Sequence, residues 1–359
     1  MSKRPHSDDI LSASKKSKLG QFAEPAIIGV FNHKGGVGKT SVSISLATKL
    51  SLMGKRVLVV DADAQCNLTS FFLRGRNVEE FYTQNPNCNL KSAISSRLDL
   101  TRACAVEVTT VTVGEGKNTL FLLPGHPDLN DVEDMLLFAC NSPSAVPGLA
   151  NVSELLRSII DHVAKEREIE YVIVDMSPSA SVINKLLVSS CTGIIVPCIP
   201  DYFSFLAIRS LSLMLTKWDD WIQYVRRIGA TGSRTSKPVF IGHVYSGAGL
   251  ASSSDWEKRI DDEVNTVLRP ALSSRGMASD SAKAPLARIP KRQDLECKYQ
   301  ENDAALSALA DAVLNVESSI EKDNLSRLQK AYSFLQNLSD FPGLDFFEKW
   351  SQLMNKTLL

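Results

Sequence analysis

Eleven consecutive residues, Phe31-Asn32-His33-Lys34-Gly35-Gly36-Val37-Gly38-Lys39-Thr40-Ser41, crowd glycines, lysines and hydroxyls into one stretch. Gly35, Gly36 and Gly38 open backbone conformations closed to residues with a Cβ, so successive N–H groups, those of Val37 and Ser41 included, can converge on phosphate oxygens. A helix starting at that point adds the favourable end of its dipole. Lys39 is then in reach of β- and γ-phosphates, and the Thr40 hydroxyl is placed to ligate Mg2+. Two carboxylates at i and i+2, Asp61 and Asp63, follow a second apolar run and project to the same side of an emerging strand, where both can face a metal–phosphate centre. For either one taken alone, a solvated turn after a strand competes with that reading. A third acid, Asp175, ends the run Glu170-Tyr171-Val172-Ile173-Val174 and could reach Mg2+ directly or through water.

The surrounding pattern supplies elements to carry these groups. The apolar run Ala26-Ile27-Ile28-Gly29-Val30-Phe31 leads into the glycine loop and an alternating stretch from Ser41 to Leu52 leads out, so the loop lies between a buried strand and a helix. Further strands are predicted at 56–61, 119–123 and 238–244, with helices at 204–218 and 255–268 and a helix start near Asn151-Val152-Ser153-Glu154. This alternation predicts an α/β fold: a mostly parallel, doubly wound sheet covered on both faces, with ligand at the strand C-terminal ends. The stretch from Phe71 to Lys117 reads as irregular and 141–148 as a loop. Terminal helices are expected at about 303–316, 320–338 and 344–358; in the last, Phe346, Phe347, Trp350, Leu353, Met354 and Leu358 recur at helical spacing. The expected organisation is a basic, disordered extension over 1–22, one nucleotide-binding domain over 23–317 and a helical extension over 318–359.

Composition excludes several classes. With 359 residues, 44% of them hydrophobic, the chain can bury a full core, and its 40 basic and 40 acidic residues cancel, so no global field draws it to nucleic acid or an anionic membrane. No apolar run approaches the roughly twenty residues of a membrane span, and the polar N-terminus is unlike a secretory signal. The expectation is a soluble, intracellular protein. Seven cysteines without CxxC pairs read as reduced, forming neither a disulfide framework nor a zinc site. Lys3-Arg4 and Lys15-Lys16-Ser17-Lys18 have the spacing of a bipartite nuclear import signal, with a DNA-holding arm and a solvated tail as alternatives of equal weight.

Lys34-Gly35-Gly36-Val37-Gly38-Lys39-Thr40 resembles the deviant Walker A loop of the ParA/MinD ATPases, the branch of P-loop proteins that also includes nitrogenase iron protein. The resemblance implies that Lys34 crosses the interface of an ATP sandwich dimer to touch the partner's nucleotide. Asp61-Ala62-Asp63-Ala64-Gln65-Cys66-Asn67 is similar to the DxDPQxN segment of ParA-type partition ATPases, with Ala64 in place of the usual proline and Cys66 where glycine is common. That likeness implies that Asp63 orients the attacking water and that Asp61 supports the magnesium shell. Asp175-Met176-Ser177-Pro178-Ser179 and Gly193 to Ser204 resemble the family's Walker B block and the switch region after it. Residues 287–292 resemble the late Ile-Pro-Arg segment, which implies adenine contact at Pro290. Asn184-Lys185-Leu186-Leu187 lacks the aspartate of a guanine-reading element, which leaves ATP as the nucleotide.

By resemblance, then, the chain is a ParA-like ATPase that hydrolyses ATP slowly with Mg2+, forms a homodimer in the ATP state, binds non-specific DNA and answers to a ParB-like activator. The basic residues Arg226, Arg227, Arg234, Lys237, Lys283, Arg288, Lys291 and Arg292 are candidates for a DNA-phosphate patch, with solvated loop charge as an equal alternative. An ATP-gated interaction protein with little turnover is the second reading. A MinD-like membrane ATPase ranks third, because Asp345 and Glu348 offset Lys349 and Lys356 on the last helix and membrane-surface helices are usually basic.

Overall fold

A computed structural model describes residues 24–73, 77–99, 106–113, 118–142, 151–228, 237–246, 255–278 and 284–289, with isolated positions from 307 to 314. The expected terminal extensions over 1–22 and 318–359 lie outside the described residues. By internal contact the chain separates after Ala310 into a main unit and a second unit, Asp311–Leu359, of which only three positions are described.

The strands β1 (Ala26–Val30), β2 (Val57–Ala62), β5 (Tyr171–Met176) and β6 (Gly193–Cys198) are buried at every residue. They are rich in valine and isoleucine, whose branched Cβ suits a pleated surface, and continuous burial marks strands covered on both faces. With β3 (Thr109–Val113), β4 (Asn118–Leu123), β7 (Val239–Ser246) and β8 (Ala287–Ile289) they form one eight-stranded sheet in the order β3-β4-β2-β5-β1-β6-β7-β8. Every pairing is parallel except that of β3 with β4 at one edge. The predicted sheet is thus present. Its central register decides the site: Val30 of β1 and Asp61 of β2 both pair with Asp175 of β5, so the three motif-bearing strands end side by side. Such a convergence of strand C-terminal ends is where open α/β sheets bind ligands.

Between the strands run α1 (Lys39–Leu52), α2 (Asn67–Phe72), α3 (Val78–Gln84), α4 (Leu90–Leu98), α5 (Glu133–Asn141), α6 (Leu155–Arg167), α7 (Val182–Ser190), α8 (Tyr202–Ile228), α9 (Asp255–Glu263) and α10 (Arg269–Ser273). Three readings of the sequence change. The stretch expected to be irregular contains α3, α4 and β3; the helices are only 7 and 9 residues long, too short for a periodic signal, and are started by Asn77 and Asn89, whose side chains accept from the Glu80 and Ser92 amides. α8 runs to Ile228, ten residues beyond its expected end. The helix expected over 255–268 ends at Glu263 and passes through a π turn, Val264–Leu268, into α10. Among the described residues no helix is long and apolar enough to cross a membrane. The five described cysteines, Cys66, Cys88, Cys140, Cys191 and Cys198, are buried and free.

Candidate functional site

The glycine loop leaves β1 and enters α1 through two left-handed residues, Gly36 (φ 72°) and Gly38 (φ 83°). Val37 is fully buried and pins the loop to the core. A Cβ at Gly35 or Gly36 would meet open space, but one at Gly38 would lie 2.0 Å from Ser246 Oγ, so the end of β7 packs directly on the loop. α1 then starts with no side-chain cap on its first amides. Uncapped amides below an open, glycine-lined turn make an anion cradle. Gly38→Ala is expected to destabilise the protein by about 1–3 kcal/mol, the usual strain of a left-handed non-glycine residue, with the Ser246 clash in addition. A thermal melt beside wild type reads this directly.

Two of the acids differ sharply in what they hold. Asp61 is sealed from solvent; its Oδ2 accepts from the Thr69 amide (2.8 Å) and hydroxyl (2.7 Å), and its Oδ1 from the Asp63 amide (3.2 Å). Thr69 Oγ1 in turn accepts from the Gly125 amide after β4. Asp61, expected at the magnesium, here holds the loop that carries Asp63, and burial raises its carboxyl to about 6 despite those donors. At Asp175, Oδ1 accepts from Ser43 Oγ (3.0 Å), and the nearby Thr40 hydroxyl works to lower the carboxyl's pKa. Its Oδ2 is buried with no partner. Burial foremost, then the neighbouring Asp61, push Asp175 up to about 8. An orphaned carboxylate oxygen beside a threonine hydroxyl fits a hydrated divalent cation.

Lys39 is 7% exposed, and its Nζ donates to the Lys34 carbonyl at 3.3 Å. Burial lowers its pKa, with Asp175 and Asp63 opposing. Asp63 stands partly exposed at the loop, its Oδ1 accepting the Gln65 amide at 3.0 Å. Lys39, Thr40, Asp63 and Asp175 thus lie near one another.

Because Asp175 is raised in the folded state, ionising it works against folding. The penalty is absent below its ordinary pKa near 4, grows as pH rises, and is fully present above about 8. Asp175→Asn should therefore stabilise the nucleotide-free protein at pH 8 by about 1–3 kcal/mol, the scale of a buried group relieved of a missing partner. The difference from wild type should shrink toward pH 5 in denaturant titrations, while Mg2+-dependent nucleotide binding is lost.

Lys34 occupies a place that no sequence pattern reveals. Its Nζ donates to both oxygens of Asp201 at 2.6 Å and to Ser204 Oγ at 3.0 Å, and lies 5.9 Å from the Phe203 ring centroid. Asn32 anchors the loop start: its Nδ2 donates to the Pro197 carbonyl at the end of β6 and its Oδ1 accepts from the Lys34 amide. His33 Nε2 is 2.8 Å from Ser210 Oγ on α8. Burial, then Lys39, holds the His33 imidazole below its ordinary range. The sequence analysis assigned no individual role to Asn32, Ser43, Thr69, Asp201 or Ser204, although Asn32, Asp201 and Ser204 fall within segments it singled out. Ser43 offered a further signal, one helical turn after Lys39 and so on the same face.

Of the four basic-patch residues that are described, three are paired with acids of the same chain. Arg226, expected at a DNA surface, has a side chain 7% exposed and lies 3.4 Å from Glu154. Lys237 pairs with Asp219 at 2.8 Å, and Arg288 pairs with Glu257 at 3.0 Å over the Tyr245 ring. Asp219 and Glu257 are buried, so Lys237 and Arg288 each offset a buried acid, although the Arg288 side chain is itself 40% exposed. Arg227 is exposed and donates to the Gln223 carbonyl within its own helix. Arg234, Lys283, Pro290, Lys291 and Arg292 lie outside the described residues.

Comparison with known proteins bears on the family and the fold. The chain is similar to the sporulation initiation inhibitor protein Soj of Bacillus subtilis, 28% identical over 189 residues that cover 53% of this chain and 63% of Soj. It is also similar to the chromosome partitioning protein ParA of Caulobacter vibrioides, 28% identical over 185 residues, 52% of this chain and 60% of that protein. The chain thus covers less than two thirds of the length of these relatives. Its fold is shared by the ATP complex of a McdA variant from Cyanothece, with a TM-score of 0.54, 18% identity and coverage of 83% and 97% of the two chains. Residues 25–223, more than half of the chain, match the AAA domain family AAA_31, and the protein belongs to that family as a P-loop protein of the ParA type.

Proposed function

We propose that the protein is a Mg2+-dependent ATPase whose ATP-loaded form pairs with a second copy and whose hydrolysis resets it, as a partition switch on non-specific DNA with a ParB-like activator. The observation that carries the nucleotide reading is the orphaned Asp175 Oδ2 beside Thr40, below a glycine cradle that ends in Lys39. Asp175 and Thr40 would hold Mg2+, which would supply positive charge to offset that of the phosphates. Lys39 meets the same phosphates from the buried side, where a low-dielectric surrounding strengthens its charge. Asp63, partly exposed at the rim, orients water, and Asp61 keeps that loop in shape through Thr69.

Support for self-association comes from α8. Phe203 (67% exposed), Leu206 (38%) and Leu213 (61%) recur on its outer face, and Ser210 between them touches His33 of the loop. Large apolar residues exposed in a row mark interaction surfaces. Leu213→Asp is expected to weaken ATP-dependent self-association at least several-fold and leave ATP affinity unchanged, as read by sedimentation and calorimetry.

One observation favours the second reading, an ATP-gated interaction protein with low turnover: among the described residues of the basic patch, Arg226, Lys237 and Arg288 are paired with Glu154, Asp219 and Glu257. Co-sedimentation with DNA and with anionic liposomes, with and without ATP, separates the readings. ATP-dependent, salt-sensitive DNA binding supports the partition switch. Absence of DNA binding at low salt, with ATP-dependent self-association intact, makes the interaction protein the answer.

A further inference from the structure

Lys34 has all three ammonium donors engaged within its own chain, two by Asp201 and one by Ser204. The acceptors are themselves fixed. Asp201 Oδ1 accepts from the Ser204 amide at 2.7 Å, so the carboxylate caps α8, and Ser204 Oγ also accepts from the Ile199 amide at 3.2 Å. Asn32 holds the lysine's own amide from the other side. At Asp201, burial works to raise the carboxyl, but the Lys34 and Ser204 contacts outweigh it and hold it below the ordinary range. A long, flexible cation held at both ends by fixed partners is a docked side chain rather than a passing surface pair.

From this we infer that Asp201, with Ser204, is a positioning residue that stores Lys34 in cis and competes with any second copy of the chain for it. The inference rests on the self-association reading above. Lys34 cannot keep three donors on Asp201 and Ser204 and also offer them across an interface, so pairing requires the dock to let go. The dock is the first turn of α8, whose outer face carries Phe203, Leu206 and Leu213. Engagement of that helix and release of the lysine therefore belong to one event, and the bond to Asp201 sets how much ATP-loaded protein is needed to reach it.

The test uses the full chain and Asp201→Asn. Asparagine caps helices as well as aspartate does, so the change removes the charge and keeps the cap. Two quantities are read: the protein concentration for half-maximal association with a non-hydrolysable ATP analogue, and the rate at which acetic anhydride labels the Lys34 amine in nucleotide-free protein, followed by mass spectrometry. Asp201→Asn should label Lys34 several times faster and associate at a concentration lower by roughly fivefold, the range of a partly exposed ion pair. Asp201→Glu should restore slow labelling, and Ser204→Ala should fall between the two. Unchanged labelling in Asp201→Asn overturns the dock. Weaker association with faster labelling overturns the competition, since Asp201 would then serve the interface itself. If wild type fails to associate at all, the self-association reading fails instead, and the labelling arm alone still decides whether Lys34 is stored.

Discussion

Lys39→Ala is expected to reduce ATP affinity by on the order of a hundredfold or more, the scale of deleting one partner of a desolvated charge pair. The reason is positional. The ammonium sits 7% exposed at the base of the glycine loop, with Asp175 and Asp63 as neighbouring acids and the Lys34 carbonyl as its hydrogen-bond partner. A buried cation whose pKa is lowered by burial is poised for an anion, and removing it leaves two carboxylates facing the incoming phosphates. Because the side chain is enclosed, alanine also opens a small void, so Lys39→Met, which keeps the stem volume and loses the charge, separates electrostatics from packing. Both variants should lose binding by calorimetry. Retained affinity in either would remove the phosphate role from Lys39.

Asp63→Ala should slow hydrolysis by roughly 10²–10⁴-fold, the usual contribution of a group that positions or deprotonates the attacking water. It should leave ATP affinity close to wild type, because Asp63 stands partly exposed at the rim, with one oxygen held by the Gln65 amide. With hydrolysis blocked and binding intact, the ATP-bound form should accumulate, and with it the self-associated state. Single-turnover phosphate release, followed beside sedimentation, reads both effects. The control is Asp61→Asn, which should disturb the loop through Thr69 and lower the melting temperature as well as turnover. Full activity in Asp63→Ala would place the catalytic group elsewhere, on an activating partner.

The family likeness and the site chemistry meet at different depths. The glycine loop, Lys39, Thr40, Asp63 and Asp175 are contiguous or lie at strand ends, and the structure brings them together. The DNA patch was read from the same kind of signal, clustered basic residues, and fares differently at the described positions. Arg226 and Arg227 are adjacent in sequence, yet one is enclosed against Glu154 and the other reaches solvent. On a helix, neighbours point about 100° apart, so a pair of basic residues is rarely a pair of surface charges.

Local chemistry was legible from the sequence alone because it is local. Glycines that must adopt φ 72° and 83°, a lysine at the first turn of a helix and an acid at the end of a β-branched strand carry their conformational and donor properties with them wherever the chain folds. Strand order was not legible. It pairs Asp61 with Asp175 across β2 and β5, so that one acid is satisfied by Thr69 and the other keeps an oxygen free. Tertiary structure alone also brings Lys34 to Asp201 across 167 positions, and sends Lys237 and Arg288 to buried acids. Burial and long-range pairing depend on which elements become neighbours, and that is settled by the packing of the whole sheet rather than by any segment of it.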